Sequence, residues 1–107
     1  MAIINGIFIE PGADLSGENL SGQYLQGIDF TGVNLASSVL SDANLSYTNF
    51  TGVDLSTTYL SGSNLSSANL TGANVTGVNF ANVDLSRAIL TDVDFTGSYL
   101  YSTPVNF

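Results

Sequence analysis

The side chains in this chain that could carry chemistry are carboxylates, amides and hydroxyls, and they recur at fixed spacing. Asp14, Asp54 and Asp94 stand forty residues apart, with Asn34 and Asn74 midway between them. A second set at steps of twenty reads Thr31, Thr51, Thr71 and Thr91. Asp92 and Asp94 are close enough in sequence to suggest a carboxylate pair for acid–base work, which needs two carboxyl groups facing one substrate. The chain has no histidine and no cysteine, and its single base is Arg87. The commonest general base, the commonest metal ligand and every thiolate reaction are therefore excluded. Nothing in the residues calls for a cofactor or a metal. With Asp84 three residues before it, Arg87 reads as half of a solvated surface pair contributing little.

What must position these groups is a repeat of five. Leu15, Leu20, Leu25, Phe30, Leu35, Leu40, Leu45, Phe50, Leu55, Leu60, Leu65, Leu70, Val75, Phe80, Leu85, Leu90, Phe95 and Leu100 follow one another without a slip of register. Five is neither the strand period of two nor the helical 3.6. A short repeat held this long reads as a solenoid, in which each unit buries its apolar residue only by stacking on its neighbours. Two residues before each of these centres the side chain is mostly small, as at Ala13, Ala43, Ala68 and Ala73, with Glu18 and Gln23 as exceptions near the start. One before is usually Asn or Asp, and one after is almost always Ser or Thr. The next position is glycine in half of the units, which suits a tight turn requiring positive φ. The expected form is a narrow tube with the small and large residues inside and the polar three outside.

Segments such as Ala13-Asp14-Leu15-Ser16-Gly17, Ala43-Asn44-Leu45-Ser46-Tyr47 and Ala68-Asn69-Leu70-Thr71-Gly72 resemble the consensus of the pentapeptide-repeat family. The resemblance covers residues 13–102. It implies an all-β fold, a right-handed quadrilateral β-helix of twenty residues per coil, and so about four and a half coils. Residues 1–12 are out of frame and are expected to form a cap strand over the first coil, ended by Pro11. Residues 103–107 form a tail in which Val105 is still in frame, as in a degenerate further unit.

Under this wrapping, residues twenty apart stack at roughly 4.8 Å. The first face then carries Asp14, Asn34, Asp54, Asn74 and Asp94, read as a ladder in which each carboxylate accepts from the amides above and below it. The second carries Asn19, Val39, Tyr59, Asn79 and Tyr99. Its exposed apolar members, with Tyr101 and Phe107 at the C-terminal end, are a candidate contact patch. The last coil is expected to leave its core and edge open, so a homodimer through that coil is expected. Asp92 is expected at a turn and Asp94 on the ladder, which separates them and argues against an enzyme. The packed interior leaves no concave pocket for a small-molecule substrate.

A net charge of −8 argues against direct nucleic-acid binding, which needs Lys and Arg against phosphate. The apolar runs fall far short of the roughly 20 residues a spanning helix needs, and residues 1–10 lack a basic region and cleavage site, so neither a membrane nor a secretory address is expected. Short chains built from such repeats abound in cyanobacteria, and the resemblance implies a bacterial, cytosolic setting. Three functions follow. The first is a structural or interaction module that presents an acidic rod, with Asp14, Asp54 and Asp94 displayed, to an unidentified protein. The second is the DNA mimicry by which some family members occupy gyrase, against which the short rod counts. The third is ice binding by the threonine column.

Overall fold

The computed structural model describes residues 2–101 and 103. The chain opens with a small antiparallel hairpin, β1 (Ile3–Ile4) and β2 (Ile7–Phe8), in which Ile3 faces Phe8 and Ile4 faces Ile7. The two residues between them are Asn5 and Gly6, with φ of 51° and 79°. That pair of positive angles is the type I′ turn, whose twist matches the strands it joins. The expected single cap strand is therefore a hairpin. An Asn-Gly pair between isoleucines is a strong local signal for one.

The tube begins at the turn closed by Ala13 N–H donating to Glu10 C=O at 2.9 Å. From there each unit adds a single-residue parallel bridge to the unit twenty residues on. Asp14 pairs with Asn34, Asn19 with Val39, Tyr24 with Asn44 and Asp29 with Asn49, so each coil has four sides. The bridge residues, mostly Asp or Asn, point outward because the residues on either side of each point in. Leu15 N–H donates to Asn34 C=O at 2.8 Å, and Asn34 N–H donates to Ala13 C=O at 2.9 Å, the repeating ladder bond.

Corners form where the residue three beyond each centre donates back to it, as Val33 does to Phe30 C=O at 3.0 Å. The corner residue just before this donor takes positive φ, which makes the corner a type II turn. Non-glycine residues hold the same conformation at Ser37, Asp42, Tyr47, Ser67, Asn82, Arg87 and Asp92, with φ of 58–60°. At Gly62 a side chain meets two obstacles: φ is +75°, and a Cβ would displace the Asp42 carboxylate of the coil above.

The centres from Leu15 to Leu85 are all buried, and so are Val33, Ala43, Val53, Ala68, Ala73, Val78 and Val83 between them. Phe30 and Phe50 stack with centroids 4.9 Å apart and planes within 2°, close to the spacing of neighbouring strands. The core loosens at the C-terminal end. Leu90 and Phe95 are only partly buried, and Leu100 is 43% exposed, so the last three centres are not interior residues of the kind their spacing suggests. The described residues place no coil beyond them. Thr103 closes one more corner, donating from N–H to Leu100 C=O at 3.1 Å and from its hydroxyl to Phe80 C=O at 2.6 Å.

Among the described residues two rungs of the ladder are missing. Asn34 does not bridge Asp54, and Tyr59 does not bridge Asn79. Between the two gaps lies the corner at Thr57, the one interior corner that does not take positive φ. A β-branched residue resists the left-handed region, so this corner turns differently from the rest. The Thr57 hydroxyl then accepts the Ser37 N–H at 3.0 Å, the place a backbone carbonyl takes at other corners. The segment from Asp54 to Tyr59 pairs downward with Asn74 at its start and upward with Val39 at its end.

Candidate functional site

The carboxylate column does not form a ladder between coils. Asp14 Oδ1 accepts the N–H of Ser16, two residues on, at 2.9 Å, and Asn34 Oδ1 accepts that of Ala36 at 3.0 Å. At Asp54 the same oxygen accepts both the N–H and the hydroxyl of Ser56, at 2.9 and 2.6 Å. Asp94 does likewise with Thr96. Each Asx side chain thus closes its own corner. The physical reason is proximity: the N–H two residues on is already placed by the type II turn, whereas the neighbouring coil offers only backbone groups engaged in rungs. Asp and Asn alternate with equal fit because only an acceptor oxygen is needed.

These bonds favour the charged form. The hydroxyl of Ser56 foremost, and then its N–H, holds the Asp54 carboxyl below its ordinary range, and Thr96 does the same for Asp94. Asp29 is lowered by Thr31, and Asp84 by Ser86 with a smaller pull from the charge of Arg87. Asp92 sits at a corner with φ of 58°, one residue from the inward Val93, while Asp94 lies on the face beyond. Among the described residues no group of three acids is placed to hold a metal ion, and no helix is long and apolar enough to cross a membrane.

Three of the four threonines in the column are engaged in the same way, and Thr91, two residues after Ile89, has no Asx oxygen beside it. The hydroxyls of Thr51 and Thr71 donate to Asn49 and Asn69 Oδ1 at 2.6 Å, and that of Thr31 donates to Asp29. Each of these hydroxyls spends its proton on its own corner.

The candidate contact residues fall on separate faces. Asp14, Asp54 and Asp94 are exposed on the first. On the second, Val39 is half-buried and bridges Tyr59, which is 61% exposed. Tyr99 and Tyr101 are exposed in the last described coil, with ring centroids 6.1 Å apart. Phe107 lies outside the described residues. The spacing argument missed Tyr24 and Tyr47, which are more exposed than Tyr59. It also missed a cleft of about 530 Å³ at the unpaired Tyr59–Asn79 rung, lined by Ser37, Ser56, Thr57, Tyr59, Ser61 and Asn79 among others. Thr57 was the available signal, as the only β-branched residue at the corner position.

No curated protein matches the chain in sequence. Among solved structures it is similar to Rfr23, a pentapeptide repeat protein from the cyanobacterium Cyanothece 51142, at 31% identity and a TM-score of 0.82. That match covers 87% of this chain and 64% of the other. HetL, a pentapeptide repeat protein of Nostoc involved in heterocyst differentiation regulation, matches at 22% identity and TM-score 0.71, over 87% of this chain and 51% of its own. A trypsin-treated form of QnrB1, a plasmid-mediated fluoroquinolone resistance protein, matches at 24% and 0.57, over 87% and 57%. The chain thus spans less than two thirds of the length of each. The fold they share with it is the right-handed quadrilateral β-helix. The family model for pentapeptide repeats matches eight copies here, over residues 13–52, 24–62, 38–77 and 63–100. With four residues in every five of the chain inside that match, it belongs to the pentapeptide-repeat family.

Proposed function

We propose that the protein is a non-catalytic interaction module that binds a protein partner through its rod surface and its C-terminal coil. The observation that carries this reading is the state of its polar groups. The Asx oxygens and most Ser and Thr hydroxyls beside them close corners of the tube, which leaves shape, charge and a few aromatic side chains as the means of recognition. At the C-terminal end Leu100, Tyr99 and Tyr101 are exposed beside the half-buried Phe95. Exposed apolar groups next to strand edges are a surface that pairs readily, and a second copy of the chain fits it. Light scattering across a concentration series tests this: a dimer that Leu100→Asp converts to monomer supports the reading, and a monomer at every concentration removes it.

A second reading is protection of gyrase by DNA mimicry. The fold similarity to QnrB1 and the net charge of −8 support it. Spread over the longest dimension of 34 Å, that charge is about one per 4 Å, against about one per 1.7 Å in the duplex. Dimerisation end to end would lengthen the rod without changing that density. A supercoiling assay with purified protein decides it, since a mimic inhibits and loses potency when Asp14, Asp54 and Asp94 are replaced by asparagine.

A further inference from the structure

The break at Thr57 leaves backbone groups of neighbouring coils without the rung bonds made one coil earlier. In a regular rung Leu60 N–H would donate to Asn79 C=O, and Asn79 N–H to Thr58 C=O, as Leu40 and Tyr59 do with Tyr59 and Ser38 at 2.7 and 3.1 Å one coil earlier. Among the described residues neither bond forms at the later pair, and Thr57 N–H makes no bond to the coil below. Its counterpart Gly77 N–H donates to Thr96 C=O at 2.9 Å. The donors Thr57, Leu60 and Asn79 N–H, and the acceptors Thr58 and Asn79 C=O, therefore belong to residues that line the same cleft.

The cleft has three further properties. Its volume of about 530 Å³ falls within the roughly 300–1,000 Å³ of small-molecule sites. No charged side chain lines it, in a chain of net charge −8, so neither an anion nor a cation is selected. Its wall carries the hydroxyl of Ser61 and the side chain of Asn79, whose recorded hydrogen bond uses only Oδ1, together with the exposed ring of Tyr59.

We infer that this cleft binds a neutral sugar residue. A hydroxyl both donates and accepts, so a ring of hydroxyls can bridge backbone donors and acceptors that do not bond to each other. The apolar face of a sugar ring packs on an aromatic side chain such as Tyr59. Charged ligands would leave their charge uncompensated here, and a purely apolar ligand would bury the three N–H groups unpaired. Thr57 creates the site by refusing the left-handed corner.

The test is titration of ¹⁵N-labelled full-length protein with glucose and, separately, with maltotriose, followed through backbone amide shifts. Saturable shifts confined to Ser37, Thr57, Leu60 and Asn79 are expected, at millimolar concentration. Tighter binding of maltotriose would place the site on a glycan chain, and equal binding on a free monosaccharide. Thr57→Gly permits the regular corner, so the Leu60 and Asn79 amides should become slow to exchange with solvent and the sugar response should vanish. Tyr59→Ala leaves the break in place and should weaken binding about fivefold. No saturable shift with either sugar, or a response unchanged in both variants, overturns the proposal. Because this readout involves no partner protein, it stands or falls separately from the interaction-module reading.

Discussion

Asn5, at the tip of the N-terminal hairpin, donates through Nδ2 to Glu18 Oε2 at 3.1 Å and accepts through Oδ1 from Gln23 Nε2 at 3.3 Å. Glu18 and Gln23 occupy the inward position that small residues fill elsewhere. Their length is what lets the first coil reach out and hold the cap. The hairpin in turn buries Ile4 and leaves Ile7 and Ile9 packed against the core. Glu18→Ala should therefore loosen the cap, lowering stability by about 0.5–1.5 kcal/mol. Hydrogen exchange at Ile9 N–H, which is bonded to Ala2 C=O, should quicken. An unchanged rate at Ile9 would separate the cap from this contact.

Leu55 and Leu65 sit in the middle of the tube with no exposure. Replacing either with alanine should cost about 2–5 kcal/mol, since stacked coils above and below limit collapse into the cavity. Leu100→Ala should cost well under that, because 43% of Leu100 is already in solvent. Urea denaturation of the three variants checks the contrast.

Gly17 and Gly62 hold the same corner conformation, with φ of +69° and +75°, in different surroundings. A Cβ on Gly17 meets nothing within 4 Å, so Gly17→Ala should cost only the left-handed strain, about 1–2 kcal/mol. Gly62→Ala adds the collision with the Asp42 carboxylate and should cost more. Equal melting temperatures for the two would show that Asp42 swings aside freely.

The corner aspartates make stability depend on acid. Asp29, Asp54, Asp84 and Asp94 are held below their ordinary value of 3.8 when folded, so each contributes stability that is fully present above that value. The contribution is lost as pH falls through the lower folded value, because protonation weakens the acceptor. The melting temperature should therefore be level near neutrality and fall below about pH 4. Asp54→Asn keeps the acceptor oxygen, so it should melt near the parent at pH 7 and lose less on acidification. A steeper acid loss in that variant would contradict the corner assignment.

The amino-acid order by itself determined the tube, its period and its core. One large apolar residue in every five is buried by stacking each unit on its neighbours, a constraint local to each unit, while four units to a coil is what the family resemblance implied. Glycine at the corner position likewise announced the turn. The tertiary structure decided where the polar groups point their bonds, because Asp54 chooses between its own corner and a neighbouring coil by distance alone. It also decided the fate of the last centres: Leu90, Phe95 and Leu100 carry the same pattern as Leu55, yet burial depends on a coil stacked beyond them. Thr57 stands between the two cases. Its β-branch is visible in sequence, but the gap it opens between Tyr59 and Asn79 exists only once residues twenty apart lie side by side.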